Sequence, residues 1–506
     1  MKLLSFIPDT PIKQAILFVI LLLSVYFFYG FHNILFLPPQ GIHFIRQTDC
    51  LSFVIGYYKF GMNFFEPKNL NLASEGGKAV SEFPILYYLT ACLYFIFGEK
   101  EFILRLLNVS IVSVGFFYLF RLLNQFFQSI TYAYVFSFLF LSSTVLIYYT
   151  NNYLPDAPAL GFTLIGWYFF NKFLLTKKHK SLTISVLFFT FSSLLKITFF
   201  MNPITAFLVL LFFLYSKKIT FQEFKKTLLP FIICTFILAV WLIFVIYYNN
   251  SNHSTYYSTT IHPIWTLSNK TIVDIWKYIT EFWYTKYYFQ TTFHVFIILV
   301  VGGLISYKKI KSELLFISLF LCVGSAFYLL LFYKMFQDHD YYFITLLPAI
   351  FFLIVTAFQG IKERFPKISN HLLVKISFLI ICILSLNYSK LKLNQRYTNN
   401  TDDISIIGNK LTTIEPYLTS NGVEKKAKII IATDLSQNGG LYFLKRQGWV
   451  IKTFSETSQT EIKELIDKGA DYLLITDTFP IELRKKFKKI IFQEKGITIV
   501  KVGSIN

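Results

Sequence analysis

The chain alternates long apolar runs with short polar interruptions, and the lengths of those runs set its architecture. Eleven runs, at 15–36, 103–123, 131–150, 157–174, 182–200, 203–215, 228–248, 292–307, 314–333, 342–359 and 372–388, meet or approach the ~20 helical residues that cross a hydrocarbon core. A twelfth run, PILYYLTACLYFIFG at 84–98, opens on Pro84 and is flanked by Glu82, Glu99 and Glu101. Its 15 residues predict an interfacial or re-entrant helix, not a crossing. The first run is long and lacks a small-residue cleavage site, so it reads as a retained helix.

Past residue 388 the pattern changes. Short β-rich runs at 427–432, 472–476, 488–492 and 497–502 alternate with helical patterns at 440–447, 459–468 and 480–487. That alternation predicts a small α/β domain with a mainly parallel sheet. The expected organisation is a polytopic α-helical membrane domain, 1–388, whose first outer loop spans 37–102, followed by a soluble α/β domain, 389–506. Gly439-Gly440 after a strand partly matches a phosphate-binding loop, but it lacks the full GxGxxG pattern and its downstream acid. An accessory domain is the favoured reading there.

Composition agrees with the membrane assignment. Of 506 residues, 55% are hydrophobic and only 15% charged, against about a quarter charged in soluble proteins. The five cysteines are scattered, with no CxxC, and read as buried free thiols. A net charge of +20 would suggest nucleic acid in a soluble protein, but its distribution points to topology instead. With the N-terminus inside, Lys177, Lys178, Lys217, Lys218, Lys308 and Lys309 fall in cytoplasmic stretches, while 150–156 and 198–202 on the other side hold no Lys or Arg. This is the positive-inside asymmetry. Counting 84–98 as a crossing would reverse every later loop.

That topology places five polar groups on the outer face: Arg46-Gln47-Thr48-Asp49; Lys78 with Ser81-Glu82; Pro155-Asp156; Lys196 inside an apolar run; and Asp338-His339-Asp340-Tyr341-Tyr342. Each also has an ordinary explanation. Asp49 pairs with Arg46 in a turn, Asp156 caps a helix, Lys196 snorkels, and the tyrosines belong to an interfacial belt. Asp338-His339-Asp340 is a solvated turn, or a metal site short of ligands. Together they describe a site for a lipid-borne substrate. A lysine there can neutralise a lipid phosphate, and a carboxylate can take a proton from an acceptor attacking an anomeric carbon.

The order RQTD, NFFEP, SEFPILYYLTACLYFIFG, Arg105, Leu154-Pro155-Asp156, Leu195-Lys196 and Asp-His-Asp-Tyr-Tyr before Pro348 resembles the bacterial family 39-type glycosyltransferases. These are relatives of the protein O-mannosyltransferases and of the lipid A aminoarabinose transferase. The likeness covers roughly 40–350 and implies the GT-C fold, with two membrane-parallel helices in the first outer loop. It implies Asp49 as catalytic base and Asp156 as a supporting acidic residue. Lys196 would face the donor phosphate, Arg46 and Gln47 would orient the base or touch the sugar, and Tyr341 and Tyr342 would lie near the lipid phosphate. Glu82 and His339 join the substrate-binding candidates.

The chain departs from the pattern in two places. Asp49 is followed by Cys50 where protein mannosyltransferases have an Asp-Glu pair, so protein O-mannosylation is not implied. Glu82-Phe83-Pro84 stands where lipid A transferases often have Lys-Pro-Pro, leaving Lys78 as the substitute.

The function expected is transfer of a sugar from a polyprenyl-phosphate donor to a lipid A, glycan, lipid or protein acceptor. The expected location is the outer, periplasmic side of a bacterial inner membrane, with no nucleic-acid partner. No cofactor is expected, and a divalent metal is not favoured. The alternative is a transporter or lipid flippase using Asp49, Asp156 and Lys196 as substrate or coupling-ion sites. Transporters are marked by repeats and broken helices at mid-depth. No repeat is visible here, and the polar groups fall at the outer boundary.

Overall fold

The computed structural model describes residues 10–254, 261–398, 403–432, 434, 436–452, 458–476, 489–494 and 496–502. The helical pattern expected at 480–487 lies outside them. Among the described residues, seven helices are long and apolar enough to cross a membrane, or up to nine if each of two bent pairs counts as one span. The segments expected at 131–150 and 292–307 belong to those pairs. Ile130–Leu141 and Thr144–Thr150 meet at 79°, and Asn269–Tyr287 meets Gln290–Ile305 at 97°. The first bend falls at Ser142-Ser143, where the Ser142 hydroxyl donates back to the Leu139 carbonyl and Ser143 caps the next helix. The remaining two segments form Asp156–Thr176 and His179–Leu195. The latter stops after 17 residues because Lys196 adopts an extended conformation, φ −150°, ψ 108°. The run at 84–98 forms the 13-residue helix Ile85–Phe97, about 20 Å long and too short to span.

The chain divides into two compact units. The first comprises Met1–Phe36, Arg105–Leu242 and Thr260–Gln395 and holds most of the candidate spans. Its tightest pairing joins Asp156–Thr176 to His179–Leu195 through small residues. The Thr163 and Ser192 hydroxyls lie 2.7 Å apart, Ser192 donates to the Ala159 carbonyl, and Ser185 donates to the Gly166 carbonyl. Small residues let helix backbones approach where lipid supplies no hydrophobic driving force. At Gly161 a side chain would fall 2.8 Å from the Ile111 carbonyl oxygen of the neighbouring helix, so glycine is required by space.

The second unit comprises Leu37–Leu104, Ile243–Thr259 and Arg396–Asn506. It joins the segment 37–104 to a five-stranded sheet. Strands β1 (Ile429–Ala432), β2 (Gly448–Ile451), β3 (Tyr472–Thr476), β4 (Ile490–Glu494) and β5 (Ile497–Lys501) run in the order β2-β1-β3-β5-β4. The sheet is mixed, not mainly parallel: β1 pairs parallel with β2 and β3, while β5 pairs antiparallel with β3 and β4. Two residues connect β4 to β5, and Gly496 there has φ +78°. A connection that short can only reverse the chain. The loop segment at 70–72 pairs with the start of β2: Gly448 N–H donates to the Leu70 carbonyl, and Leu72 N–H to the Gly448 carbonyl. Two helices of the loop, Phe44–Phe60 and Ile85–Phe97, pack together in the same unit.

An ion triad also holds this unit together. Glu99 Oε2 lies 2.9 Å from Lys59 Nζ, and its Oε1 lies 3.4 Å from Lys445 Nζ. Burial pushes the Glu99 carboxyl up, but the two lysines outweigh it and hold it below the usual range. A carboxyl with a lowered folded value contributes stability above its ordinary titration point, about pH 4.3, and loses it as pH falls through the folded value. Glu99→Gln is therefore expected to lower stability by roughly 1 kcal/mol at pH 7, a figure discounted for solvent screening. The difference should vanish as pH falls below the lowered folded value. Thermal unfolding of both proteins across pH 3–7 checks this, and a pH-independent gap would refute it.

Candidate active site

The candidate residues form two polar clusters, one in each unit. In the first unit the antiparallel pair Asp156–Thr176 and His179–Leu195 brings the start of one helix to the end of the other. Asp156 and Lys196 therefore meet, with Lys196 Nζ 3.1 Å from Asp156 Oδ1. Pro155 holds the N-cap position expected of Asp156, whose carboxylate instead opens the helix and goes to the lysine. Lys196 does not simply snorkel. The Asp156 side chain is 1% exposed and that of Lys196 19%, so the lysine is the more accessible member of the pair.

Aromatic rings complete this cluster. Lys196 Nζ lies 5.1 Å from the Tyr341 ring centroid and 4.7 Å from that of Tyr342, within cation–π range. The tyrosines sit on the 3₁₀ segment Asp340–Leu346, which is fixed from three sides. Tyr149 donates to Asp340 Oδ1 at 2.6 Å, Tyr328 donates to the Tyr342 carbonyl at 3.1 Å, and the Thr345 and Thr198 hydroxyls are 2.9 Å apart. The His339 ring packs on both tyrosines, its centroid 5.3 and 5.7 Å from theirs. Asp340 is buried by this arrangement, not part of a solvated turn. Among the described residues no group of three or more His, Cys, Asp or Glu side chains is placed to hold a metal ion.

In the second unit Asp49 lies on the Phe44–Phe60 helix, 4% exposed. Arg46, one turn earlier, is 3.8 Å from Asp49 Oδ2 but closer to Glu82, at 3.2 Å. The simple Arg46–Asp49 turn is thus replaced by an Asp49–Arg46–Glu82 chain. Glu82 also accepts hydrogen bonds from Ser81 and Tyr87. Tyr87 in turn lies against Cys50, where burial pushes the Cys50 thiol well above its usual value. Gln47 uses its amide on the adjoining turn, donating to the carbonyls of Gln40 and Ile42 and accepting from Gln40 N–H. Lys78 is half-buried, its backbone bridging to Lys68.

One partner of Asp49 was not foreseen. The Asn438 side-chain amide donates to Asp49 Oδ1 at 3.0 Å, and its carbonyl accepts from Ser52 at 3.1 Å. Asn438 lies on the loop after β1, which is organised around Asp434. That carboxylate accepts from Ser436 N–H, the Ser436 hydroxyl and Gly440 N–H. Burial pushes the Asp434 carboxyl up, and these bonds partly offset it. A side chain at Gly439 would fall 2.3 Å from Ser436 Oγ and 2.9 Å from the Phe44 ring. Gly439 therefore permits close packing of this loop on the Phe44–Phe60 helix.

Residues 81–247 match the family model described as dolichyl-phosphate-mannose-protein mannosyltransferase. No curated protein matches the chain by sequence. Solved structures match over nearly its whole length. ArnT from Cupriavidus metallidurans in the apo state is similar at TM-score 0.61 and 11% identity, over 96% of this chain and 98% of that one. The same protein bound to undecaprenyl phosphate gives 0.59 and 12%, over 97% and 98%. The apo oligosaccharyltransferase of Archaeoglobus fulgidus gives 0.53 and 10%, over 92% of this chain and 69% of that one. These likenesses show the fold: the chain shares the GT-C fold of these structures. The likeness to ArnT extends over 96% of this chain and 98% of that one.

Proposed function

We propose that this chain transfers a sugar from a polyprenyl-phosphate carrier to an acceptor on the outer face of a bacterial inner membrane. The observation that carries the reading is the Lys196 ammonium, held by Asp156 and faced by Tyr341 and Tyr342. It occurs on a fold whose solved neighbour binds undecaprenyl phosphate. Expulsion of the carrier converts a phosphodiester with one negative charge into a phosphomonoester with two. A fixed cation therefore binds the departing group more strongly than the ground state, which is what accelerates a chemical step.

In the proposed reaction, the bond from the anomeric carbon to the phosphate oxygen breaks as the acceptor oxygen or nitrogen bonds to that carbon. The acceptor proton passes to Asp49. Asn438 and Arg46 beside this carboxylate favour its ionised, proton-accepting form. Phosphate needs no protonation to leave, so no second acid is required. The remaining site candidates are assigned supporting roles: Asp156 sets the position of Lys196, Arg46 and Glu82 fix the Asp49 helix, and His339 backs the tyrosine pair. The positive-inside pattern supports the outer location for the reaction and for the α/β sheet.

The direct test incubates membranes containing the chain with radiolabelled polyprenyl-phosphate sugars and follows label into lipid, glycan and protein fractions. Label leaving the carrier only when the chain is present is the expected result. Carrier that crosses the membrane without losing its sugar would overturn the proposal in favour of a flippase.

A further inference from the structure

We infer that Asn438 is a positioning residue for the reaction, so that the C-terminal α/β fold supplies part of the machinery that sets the proton affinity and orientation of Asp49. The inference rests on the reading of Asp49 as base. It starts from the bond between two buried groups, Asn438 fully and Asp49 nearly so, at 3.0 Å. An amide N–H can only donate, so the bond favours the ionised carboxylate and fixes the orientation of its Oδ1.

The Asn438 side chain is itself held. Its carbonyl accepts from Ser52, one helical turn beyond Asp49, and the Ser52 hydroxyl accepts from Leu70 N–H at 2.9 Å. The neighbouring Gln437 carbonyl accepts from Asn71 at 2.8 Å. Asp434 closes the loop from behind through Ser436 and Gly440. A residue serving only as a tether would not need its amide on the carboxylate, because other contacts already join loop and helix. The Phe44 and Phe443 rings stack 5.7 Å apart between that helix and the segment following the loop, while Tyr442 on the same segment donates to Glu101.

The test compares pH–rate profiles of the full-length protein in membranes, using the polyprenyl-phosphate sugar that supports transfer. Asn438→Ala is expected to lower kcat at least tenfold at pH 7, with KM for the donor within about twofold. Its acid limb should move up by about one pH unit, since the ionised carboxylate has lost a donor. Asn438→Asp should move it further through like-charge repulsion, and Asn438→Ser, which keeps a donor, should restore part of the shift. Tyr442→Phe, which loosens the same packing without touching Asp49, should leave the acid limb in place. If the alanine variant fails to insert, the serine and aspartate profiles decide. Limbs coincident with wild type in the variants that fold would overturn the inference while leaving Asp49 as base. Retained activity in Asp49→Asn would instead remove the reading beneath it.

Discussion

Asp49→Asn is expected to abolish sugar transfer while leaving the protein folded and inserted. The substitution keeps shape and removes the ability to take a proton, and loss of a positioned general base costs typically 10²–10⁴-fold. The surroundings make the change a clean one. Asparagine's own carbonyl can accept the Asn438 hydrogen bond, and Arg46 keeps its closer partner Glu82 at 3.2 Å, so neither of these neighbours is left without a partner. Stability should change by no more than about 1 kcal/mol, in line with the modest net worth of a single hydrogen bond. Asp49→Ala is a harsher variant. It strands the buried Asn438 amide and should cost about 1–3 kcal/mol in addition to activity. Initial rates with a polyprenyl-phosphate sugar, paired with thermal unfolding, separate the two effects. Wild-type turnover in folded Asp49→Asn would end the base assignment.

What the sequence revealed and what it hid divide along the range of the interactions. Run length, the opening Pro84, the flanking acids and the lysine distribution together mark the 13-residue helix Ile85–Phe97 as too short to cross. Lys196 stands out because charge inside an apolar run is expensive and needs a reason. Its partner was also on the page, but the pairing with Asp156 depends on an antiparallel helix contact that one-dimensional spacing does not encode. Other features were less legible. The bend at Ser142-Ser143 carries no proline or glycine, so the run around it reads as one continuous span. Strand β2 is four residues long and includes Gly448, which weakens any strand pattern. Asn438 lies 389 positions from Asp49, and beside Gly439-Gly440 it looks like one more polar residue in a turn. The available signal is the density of Asp434, Ser436 and Asn438 around a glycine pair that only partly matches a phosphate-binding loop; in the structure those polar groups bind one another and the Phe44–Phe60 helix.

Lys196→Met should inactivate the protein and destabilise it, and a second substitution should separate the two losses. Removing the ammonium leaves the Asp156 carboxylate, 1% exposed, without its cation, and breaking a buried pair from one side costs about 3–5 kcal/mol. Asp156→Asn alone should be milder, because Lys196 is the more exposed partner and retains the Tyr341 and Tyr342 rings. In the double variant Asp156→Asn/Lys196→Met neither charge remains, and most of the lost stability should return, as double-mutant logic requires for a coupled pair. Activity should not return with it. The departing phosphate still lacks the cation that offsets its second charge, and removing one such electrostatic contact costs about 10²–10³ in kcat. The expected signature is therefore a kcat that stays low while the unfolding temperature recovers. If kcat recovered together with stability, Lys196 would be a structural partner of Asp156, and the phosphate-binding role proposed for it would fall.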